Sequence, residues 1–393
     1  MKTAELRIDT IFIGFRSIRK MQNKLICAAK ILLISLILVI FIIPLSFLEA
    51  ETYEDYLNAY RSKRIKVEPG TQKAVYLTEH SIGNIEKRRE IYKLVQHSEL
   101  NSIVFDVKDD TGDIGYDSDV ELAGESGAEK NYYDIDVILE EMKGKSIYSI
   151  ARFVVFKDNI LPRFKPEVAI QDLRTGKPLY SEGSYWPDIY CEEVWDYYID
   201  LIKELAEKGV NEIQFDYIRA PAKGNIAYAD YTYNTAGKDK VWAITNFLKK
   251  VREETRQYDI KISADVFGWT FIVDNDQGIG QLLEEIAPYL DYIYPMPYPS
   301  HYSTNFLGYE LPEAHPYEVV SYTLNKGLSR IDNTGCMIVP WIQAFSLKVK
   351  YTESEILSQI QASEDLGIEG FLFWNAANKY GTVEKVLNIR ENK

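Results

Sequence analysis

The sequence is poor in the residues that build metal and redox sites. Its three cysteines, Cys27, Cys191 and Cys336, have neither the spacing of a zinc or redox motif nor that of a disulfide framework. Among its four histidines no two are separated by one residue, the spacing that metal hydrolases on barrel folds often use. We therefore expect no metal and no other cofactor.

Positive charge and glycine-rich phosphate loops are also scarce. The net charge is −14, so no basic stripe is available to neutralise nucleic acid phosphates, and nucleic acid is excluded as a partner. No G-x-G-x-x-G turn follows the first apolar run, which disfavours a dinucleotide-binding fold. Aromatic residues are plentiful instead, with 29 tyrosines and 6 tryptophans. Aromatic side chains fill cores, and in clefts they stack on sugars.

One stretch contains no charged residue at all. Residues 31–48 are uncharged and apolar, and residues 1–30 carry seven lysines and arginines against two acidic residues. Such a run is about long enough to span a bilayer, and its basic flank stays in the cytoplasm. We interpret 1–30 as a cytoplasmic segment, 31–48 as a single-pass signal anchor in the cell membrane and 49–72 as a stalk. A secretory signal peptide cleaved near Ala50 is the alternative. In both cases the remainder lies outside the cytoplasm.

From Lys73 onward, eight short apolar runs alternate with helical periods. The runs are Ala74–Thr78, Ser102–Lys108, Ser146–Phe153, Ile213–Phe215, Ile260–Asp265, Leu290–Tyr294, Cys336–Trp341 and Glu369–Trp374. Near-continuous apolar strands alternating with helices indicate a parallel sheet covered by helices. Eight such units predict an α/β fold, a (β/α)₈ TIM barrel over residues 73–393, preceded by the transmembrane or signal segment.

Two carboxylates end adjacent strands of this predicted barrel. Asp216 follows the fourth run and Asp265 ends the fifth. In TIM barrels the carboxyl ends of the strands build the active site, so acidic residues there indicate catalysis. Glycosidic cleavage needs such a pair, one carboxylate as nucleophile or base and one acid that protonates the leaving oxygen. Mutual repulsion and burial would raise one pKa, and Arg219 could keep the other group ionised. The alternative is that each aspartate only caps a loop or helix.

Further polar and aromatic residues follow the other strand ends, where a substrate would bind. A carbohydrate cleft would use aromatic faces for stacking and charged or amide groups for hydroxyls. The candidate substrate-binding residues are Asp106, Arg152, Arg219, Trp269, Tyr294, His301, Trp341, Trp374 and Asn375.

Six motifs carry a resemblance to a known family. They are Phe105-Asp-Val-Lys-Asp109, Ile150-Ala-Arg-Phe153, Gln214-Phe-Asp-Tyr-Ile-Arg-Ala-Pro221, Ser263-Ala-Asp-Val-Phe-Gly-Trp269, Tyr294-Pro-Met-Pro-Tyr-Pro-Ser-His301 and Phe373-Trp-Asn375. Together, over residues 73–390, they resemble a bacterial glycoside hydrolase family first catalogued as a domain of unknown function, with an α-amylase-like barrel. The resemblance implies a carbohydrate substrate and assigns the nucleophile to Asp216. The acid of amylase-like enzymes usually follows the fifth strand and is a glutamate, whereas this chain has Asp265 there.

We therefore expect a membrane-anchored extracytoplasmic glycoside hydrolase that acts on a polysaccharide of the cell envelope or its surroundings, without an obligate protein partner. The alternatives are a barrel that binds glycan without cleaving it and another hydrolase that uses an acidic pair.

Overall fold

Nine parallel strands form the central sheet of the protein. The computed structural model describes residues 64–392 of the chain. The strands are Lys73–Leu77 (β1), Ser102–Lys108 (β2), Tyr148–Val154 (β3), Glu212–Asp216 (β4), Lys261–Phe267 (β5), Tyr292–Met296 (β6), Met337–Ile338 (β7), Trp341–Gln343 (β8) and Phe371–Trp374 (β9). Every residue of β2, β3 and β4 is buried, as expected for a parallel sheet covered by helices, although polar residues interrupt all three sequences.

The sheet is curled, and the strands at its two ends, β7 and β8, are consecutive in the chain. The strand order is β7-β6-β5-β4-β3-β2-β1-β9-β8, and all neighbours are parallel. Only Val339 and Pro340 separate β7 from β8, so the seventh predicted strand is present as two short halves. Proline cannot donate to a strand ladder, which accounts for the break. The fold is TIM-barrel-like, and the predicted α/β class with a parallel sheet is confirmed.

Helices connect the strands and cover the sheet. They are Glu79–Gly83, Ile85–Gln96, Glu121–Ser126, Ile135–Gly144, Leu161–Phe164, Glu192–Lys208, Lys240–Thr255, Gly268–Ile272, Leu283–Ile286, Pro316–Ile331, Glu353–Glu364 and Gly381–Glu391. The helix before β4 ends at Gly209, whose φ of 97° suits a residue without a side chain. The helix before β9 begins with the capping box that Thr352 and Glu355 predict.

A small lobe is inserted after β3. Three short strands, Gln171–Asp172, Lys177–Pro178 and Ala229–Asp230, form an antiparallel sheet there, and Tyr180–Ser181 pairs with Ser184–Tyr185 in a hairpin. The lobe therefore combines residues from the connection after β3 with residues from the connection after β4. Both connections leave the carboxyl ends of their strands, so the lobe lies on that side of the sheet.

The segment before β1 packs against the opposite, amino-terminal side of the sheet. Arg64 donates to the main-chain carbonyls of Ala206 (2.7 Å) and Val210 (3.0 Å), and Asn211 donates to the carbonyl of Ile65 (2.7 Å). The last residues of the predicted stalk, 64–72, are thus part of the folded unit. The predicted cytoplasmic segment 1–30, the anchor 31–48 and the first part of the stalk lie outside the described residues. Within residues 64–392 no helix combines the length and apolarity that a membrane crossing requires.

A carboxylate lies in the interior of the barrel. Glu212, the first residue of β4, is fully buried and accepts hydrogen bonds from the hydroxyls of Ser263 (2.6 Å), Tyr294 (2.7 Å) and Tyr148 (3.2 Å). Burial raises the pKa of Glu212 to about 7, although the three hydroxyls act in the other direction. Several of the abundant tyrosines therefore line the core and contribute hydroxyl groups to a buried polar layer.

Glu212 should make stability depend on pH. The pKa of Glu212 is higher in the folded state than its ordinary value of 4.5. The contribution of Glu212 to the free energy of unfolding is therefore complete below pH 4.5 and is lost as pH rises through about 7. The loss amounts to about 3 kcal/mol if the unfolded chain titrates normally. We expect Glu212→Gln to remove this pH-dependent part of the free energy of unfolding, because glutamine does not titrate. The measurement is the free energy of unfolding of both proteins between about pH 4 and pH 8. If the free energy of unfolding changes with pH in the same way in both proteins, the prediction is wrong.

Candidate active site

The carboxyl ends of the strands open into a cavity of about 230 Å³. Its wall is formed by Arg152, Asp216, Tyr217, Arg219, Asp265, Phe267, Gln281, Met296, Tyr298, His301, Trp341 and Trp374. These residues come from the ends of β3, β4, β5, β6, β8 and β9 and from the loops that follow them. A larger cavity of about 420 Å³ lies on the amino-terminal side, next to Pro69–Thr71. We place the site in the smaller cavity, because charged and aromatic side chains converge there on the face where such folds carry catalytic groups.

Asp216 enters this cavity as a carboxylate bound to an arginine. Its Oδ2 accepts hydrogen bonds from Nη2 (2.6 Å) and Nε (3.1 Å) of Arg152, and its Oδ1 accepts one from the main-chain N–H of Tyr217 (2.6 Å). Burial alone would lower the pKa of the Arg152 guanidinium, but the carboxylates of Asp106 and Asp216 hold that pKa well above its ordinary value. A buried cation and a main-chain donor thus fix the position of the Asp216 side chain.

Asp265 lies on the neighbouring strand in a different environment. It is 2% exposed, and its Oδ1 accepts a hydrogen bond from Nε1 of Trp341 (2.7 Å). Burial, followed by the negative charge of Asp216, raises the pKa of the Asp265 carboxyl well above its ordinary value. Adjacent strand ends therefore hold one carboxylate beside a cation and one carboxyl group that favours its protonated form.

Asp106 lies behind the cavity wall. It is buried, and it accepts hydrogen bonds from Nη1 of Arg152 (2.5 Å) and from the hydroxyl of Tyr76 (2.5 Å). Burial raises the pKa of Asp106 to about 7, although Arg152 and Tyr76 oppose that shift. Arg152 on β3 lies between β2 and β4, so one guanidinium bridges the aspartates of both neighbouring strands. Asp106 thus fixes Arg152, whereas the sequence places it among the substrate-binding residues.

Two tryptophans form an aromatic corner of the cavity. The ring of Trp374 stacks on Tyr76, with centroids 4.1 Å apart and planes at 23°, and meets Trp341 edge-on at 5.4 Å. The guanidinium of Arg152 lies 5.3 Å from the centroid of Trp374. Trp341 is buried except where it lines the cavity, and Trp374 is half-buried. Both rings are thus held in place beside the carboxylates.

Arg219 does not pair with Asp216, which corrects the sequence-based expectation. Its guanidinium donates to the carboxylate of Glu182, at 3.0 and 3.3 Å. Tyr217, directly after β4, has a φ of 49°, and this left-handed residue turns the chain away from the strand direction. Arg219 consequently lines the cavity from another side, and Arg152 takes the predicted place beside Asp216.

Three other candidates are not part of the cavity wall. Tyr294 is fully buried and donates to Glu212 in the barrel interior. Trp269 packs against two aromatic rings of the loop after β6. Asn375 donates to main-chain carbonyls of the loops after β8 and β9. These positions follow strands as the sequence suggests, but whether a side chain reaches the cavity depends on its direction in the strand or turn, which a strand-end position alone does not specify.

The cavity contains residues that sequence reasoning missed. Tyr298 lies in its wall, and burial, followed by the charges of Asp265 and Asp216, raises the pKa of that hydroxyl. A signal was available, since Tyr298 stands between two prolines in the motif that ends at His301, which does line the cavity. No sequence motif pointed to Gln281. It lies in a loop sixteen positions after Asp265 and donates to the main-chain carbonyl of that residue (3.3 Å).

The candidate site consists of carboxylates, arginines and aromatic rings. Among residues 64–392, no three histidine, cysteine, aspartate or glutamate side chains come together in an arrangement that could hold a metal ion. Two carboxyl groups flanked by aromatic rings are suited to acid–base cleavage of a bond whose transition state carries positive charge.

One family model covers the whole barrel. A domain described as "Putative glycosyl hydrolase domain" matches residues 74–380, a range that includes every residue of the cavity wall. The resemblance stated from the sequence motifs is thereby confirmed. Comparison with curated proteins gives no match.

Solved structures similar to this chain include a hypothetical protein from Ruminiclostridium thermocellum, which is 36% identical over 49% of this chain and 97% of its own, with a TM-score of 0.46. The PgaB glycoside hydrolase domain from Bordetella bronchiseptica has a TM-score of 0.53 and 11% identity over 80% of this chain and 98% of its own. The C-terminal domain of a putative chitinase from Desulfitobacterium hafniense has a TM-score of 0.50 and 10% identity over 81% of this chain and 99% of its own. At such low identity, the last two establish a shared fold only.

Proposed function

Because the chain belongs to the glycosyl hydrolase family that matches residues 74–380, we propose that it cleaves a polysaccharide with Asp216 and Asp265 as the catalytic pair. One observation carries the proposal: two carboxyl groups on adjacent strand ends line one cavity in opposite electrostatic environments. Asp216 has a cation and a main-chain donor beside it, and Asp265 is buried with an indole as its hydrogen-bond donor.

The two environments assign the roles. Protonated Asp265 donates its proton to the glycosidic oxygen, so that the C–O bond breaks and the leaving sugar departs as a neutral alcohol. Ionised Asp216 faces the positive charge that develops at the anomeric carbon, either as the nucleophile or as the base for an attacking water. If Asp216 is the nucleophile, it forms a glycosyl ester, which water cleaves while ionised Asp265 takes the proton of that water and regains its acid form. If Asp216 is the base, it takes the proton of the attacking water, and proton exchange with solvent then restores both groups. Arg152 holds the Asp216 side chain in place throughout.

The aromatic wall supports a sugar as the substrate. Sugar rings present apolar C–H faces, which pack well on flat aromatic side chains such as Trp374 and Tyr298. His301 lies at the exposed edge of the cavity, where burial of its inner part, followed by the charge of Lys223, lowers the pKa of the ring. A neutral imidazole there both donates and accepts hydrogen bonds, as sugar hydroxyls do.

We further propose that residues 31–48 anchor the protein in the cell membrane with the cavity outside the cytoplasm. The uncharged run and its basic flank support this orientation. Alkaline phosphatase fused after Lys393 should be active in cells, because this reporter works only outside the cytoplasm. A fusion that is inactive while a matched cytoplasmic reporter is active would contradict this topology.

The hydrolytic activity is tested by the release of reducing ends from glycol chitin, soluble peptidoglycan and soluble starch. We expect the full-length protein to release them from at least one polymer, and the double variant Asp216→Asn, Asp265→Asn to release none. If the unaltered protein binds a polymer and releases no reducing ends, it is a glycan-binding barrel, and the catalytic proposal is wrong.

Asp106 should act through Arg152 and not on the sugar. We expect Asp106→Asn to lower kcat about tenfold with little change in KM, because the less firmly held guanidinium positions Asp216 poorly; tenfold corresponds to about 1.4 kcal/mol. Asp109→Asn is the matched control, since the Oδ1 of Asp109 bonds only within its own loop, to Thr111 and Asp113. A rise in KM at constant kcat would instead assign Asp106 to substrate binding.

A further inference from the structure

A rigid hairpin stands beside the mouth of the cavity. Its strands are Tyr180–Ser181 and Ser184–Tyr185, and its two turn residues, Glu182 and Gly183, have φ angles of 54° and 75°. Two consecutive positive φ angles give the tight turn that matches the twist of paired strands. The turn brings Tyr180 and Tyr185 directly opposite each other.

A buried ion pair fastens the hairpin to the cavity wall. The Glu182 carboxylate accepts hydrogen bonds from Arg219 (3.0 and 3.3 Å), from the main-chain N–H of Lys223 (3.1 Å) and from that of Ala222. The side chains of Glu182 and Arg219 are 8% and 6% exposed. The hydroxyl of Ser181 also donates to the carbonyl of Lys223 (2.6 Å). Because Arg219 lines the cavity, the position of the hairpin relative to the catalytic groups is fixed.

The hairpin presents two aromatic rings towards solvent. Tyr180 is 50% exposed and Tyr185 is half-buried, and their ring centroids lie 5.1 Å apart with planes at 70°. The Tyr180 hydroxyl donates to the carbonyl of Gly183 (2.8 Å), and the Arg163 guanidinium lies 5.3 Å from the centroid of Tyr185. The rings are thus already ordered, so a ligand that packs on them loses little side-chain entropy.

The cavity is too small for a polymer. At about 230 Å³ it is smaller than a typical pocket for a drug-sized ligand, so it encloses only a short part of a glycan and the rest of the chain must leave through the mouth. The loop that the hairpin fastens begins at Arg219 in the cavity wall, so it leaves the cavity on the side of the hairpin. A glycan that leaves on this side therefore passes the hairpin.

We propose that the rings of Tyr180 and Tyr185 form a distal sugar-binding subsite, which holds a polysaccharide outside the cavity while one linkage lies at the carboxylates. The proposal rests on the proposed function, and it specifies that the substrate is a chain longer than the cavity. The occupant is a glycan and not a protein segment, because the hairpin that carries the rings is fastened through Glu182 to Arg219 in the cavity wall, and the chain belongs to a glycosyl hydrolase family. The Glu182–Arg219 pair links this subsite to the catalytic cavity.

The test measures polymer binding separately from cleavage. Full-length protein is run through native gels that contain glycol chitin, soluble peptidoglycan or soluble starch, and the retardation gives a dissociation constant. We expect Tyr180→Ala to weaken binding to the retarding polymer at least about fivefold, the effect of losing one stacking ring. Tyr180→Phe keeps the ring and should bind normally. Tyr317→Ala is the matched control, because Tyr317 is 37% exposed on a barrel helix outside the lobe.

Each outcome decides the proposal. It is overturned if Tyr180→Ala binds like the unaltered protein, if Tyr317→Ala loses as much affinity, or if none of the three polymers retards the unaltered protein. A different result would show that only the proposed function is wrong. In that case Tyr180→Ala loses polymer binding, as the subsite predicts, but the unaltered protein releases no reducing ends. For an active protein, Tyr180→Ala should raise KM for the polymer and leave the hydrolysis of a dinitrophenyl monosaccharide unchanged, since that substrate does not reach the hairpin.

Discussion

Asp216→Asn is expected to reduce kcat on a polysaccharide by at least about 10³-fold while glycan binding and folding persist. The amide keeps the size of the carboxylate, and its single oxygen can still accept the hydrogen bonds from Arg152, while the one from the main-chain N–H of Tyr217 to the other oxygen is lost. It removes the negative charge that faces the anomeric carbon, which an oxocarbenium-like transition state requires. The measurement combines reducing-end release with native-gel retardation and a thermal unfolding profile.

Asp196→Asn serves as the control for this loss of charge. Asp196 lies on the outer face of the helix Glu192–Lys208 and pairs with Lys250 at the surface, so its substitution should leave kcat unchanged. If Asp216→Asn retains the native rate, Asp216 is structural and the catalytic carboxylates lie elsewhere. If it unfolds, the buried Arg152 needs the charge of Asp216 for stability, and Asp216→Glu then tests the catalytic role.

Asp265→Asn should abolish hydrolysis of polymers and spare that of activated substrates. General acid catalysis contributes roughly 10²–10⁴-fold when the leaving group is a sugar alcohol. A dinitrophenolate needs no proton to leave, so we expect a much smaller loss on a dinitrophenyl glycoside of the same sugar. The comparison of kcat for both substrates in both proteins isolates the proton transfer from every effect on folding or binding.

The pH profile provides a second readout for Asp265. The acid must be protonated, and burial together with Asp216 raises its pKa, so activity should fall as pH rises through that raised value. In Asp265→Asn this alkaline limb should disappear from the residual activity on the activated substrate. Equal losses on both substrates, with the alkaline limb retained, would show that another group is the acid.

The sequence predicts the barrel and the neighbouring positions of Asp216 and Asp265 for a simple reason. Strands buried on both faces carry mostly apolar residues, so β2 and β3 stand out in the sequence although Asp106, Lys108 and Arg152 interrupt them. In a parallel sheet consecutive strands tend to be neighbours, so the groups that end two of them come close together. This places Asp216 and Asp265 in one cavity without any knowledge of side-chain directions.

The arginine that pairs with Asp216 could not be predicted from strand order alone. Arg219 is closer in sequence, but the left-handed Tyr217 turns it towards Glu182, 37 positions earlier. Arg152 reaches Asp216 because β3 pairs with β4, and its other nitrogen reaches β2. Such bridges depend on register and rotamer, which a single sequence does not specify. The hairpin of the inserted lobe was missed too, because its two-residue strands are too short for a periodic pattern.

The most direct measurement is a crystal structure of the Asp216→Asn protein with an oligosaccharide that the unaltered protein cleaves. We expect an intact glycosidic linkage in the cavity, with its bridging oxygen within hydrogen-bond distance of the Asp265 carboxyl and its anomeric carbon facing residue 216. The flanking sugars should lie against Trp374 and Tyr298. An ordered oligosaccharide whose linkages all lie beyond the reach of both positions would contradict the assignment of Asp216 and Asp265 as the catalytic pair.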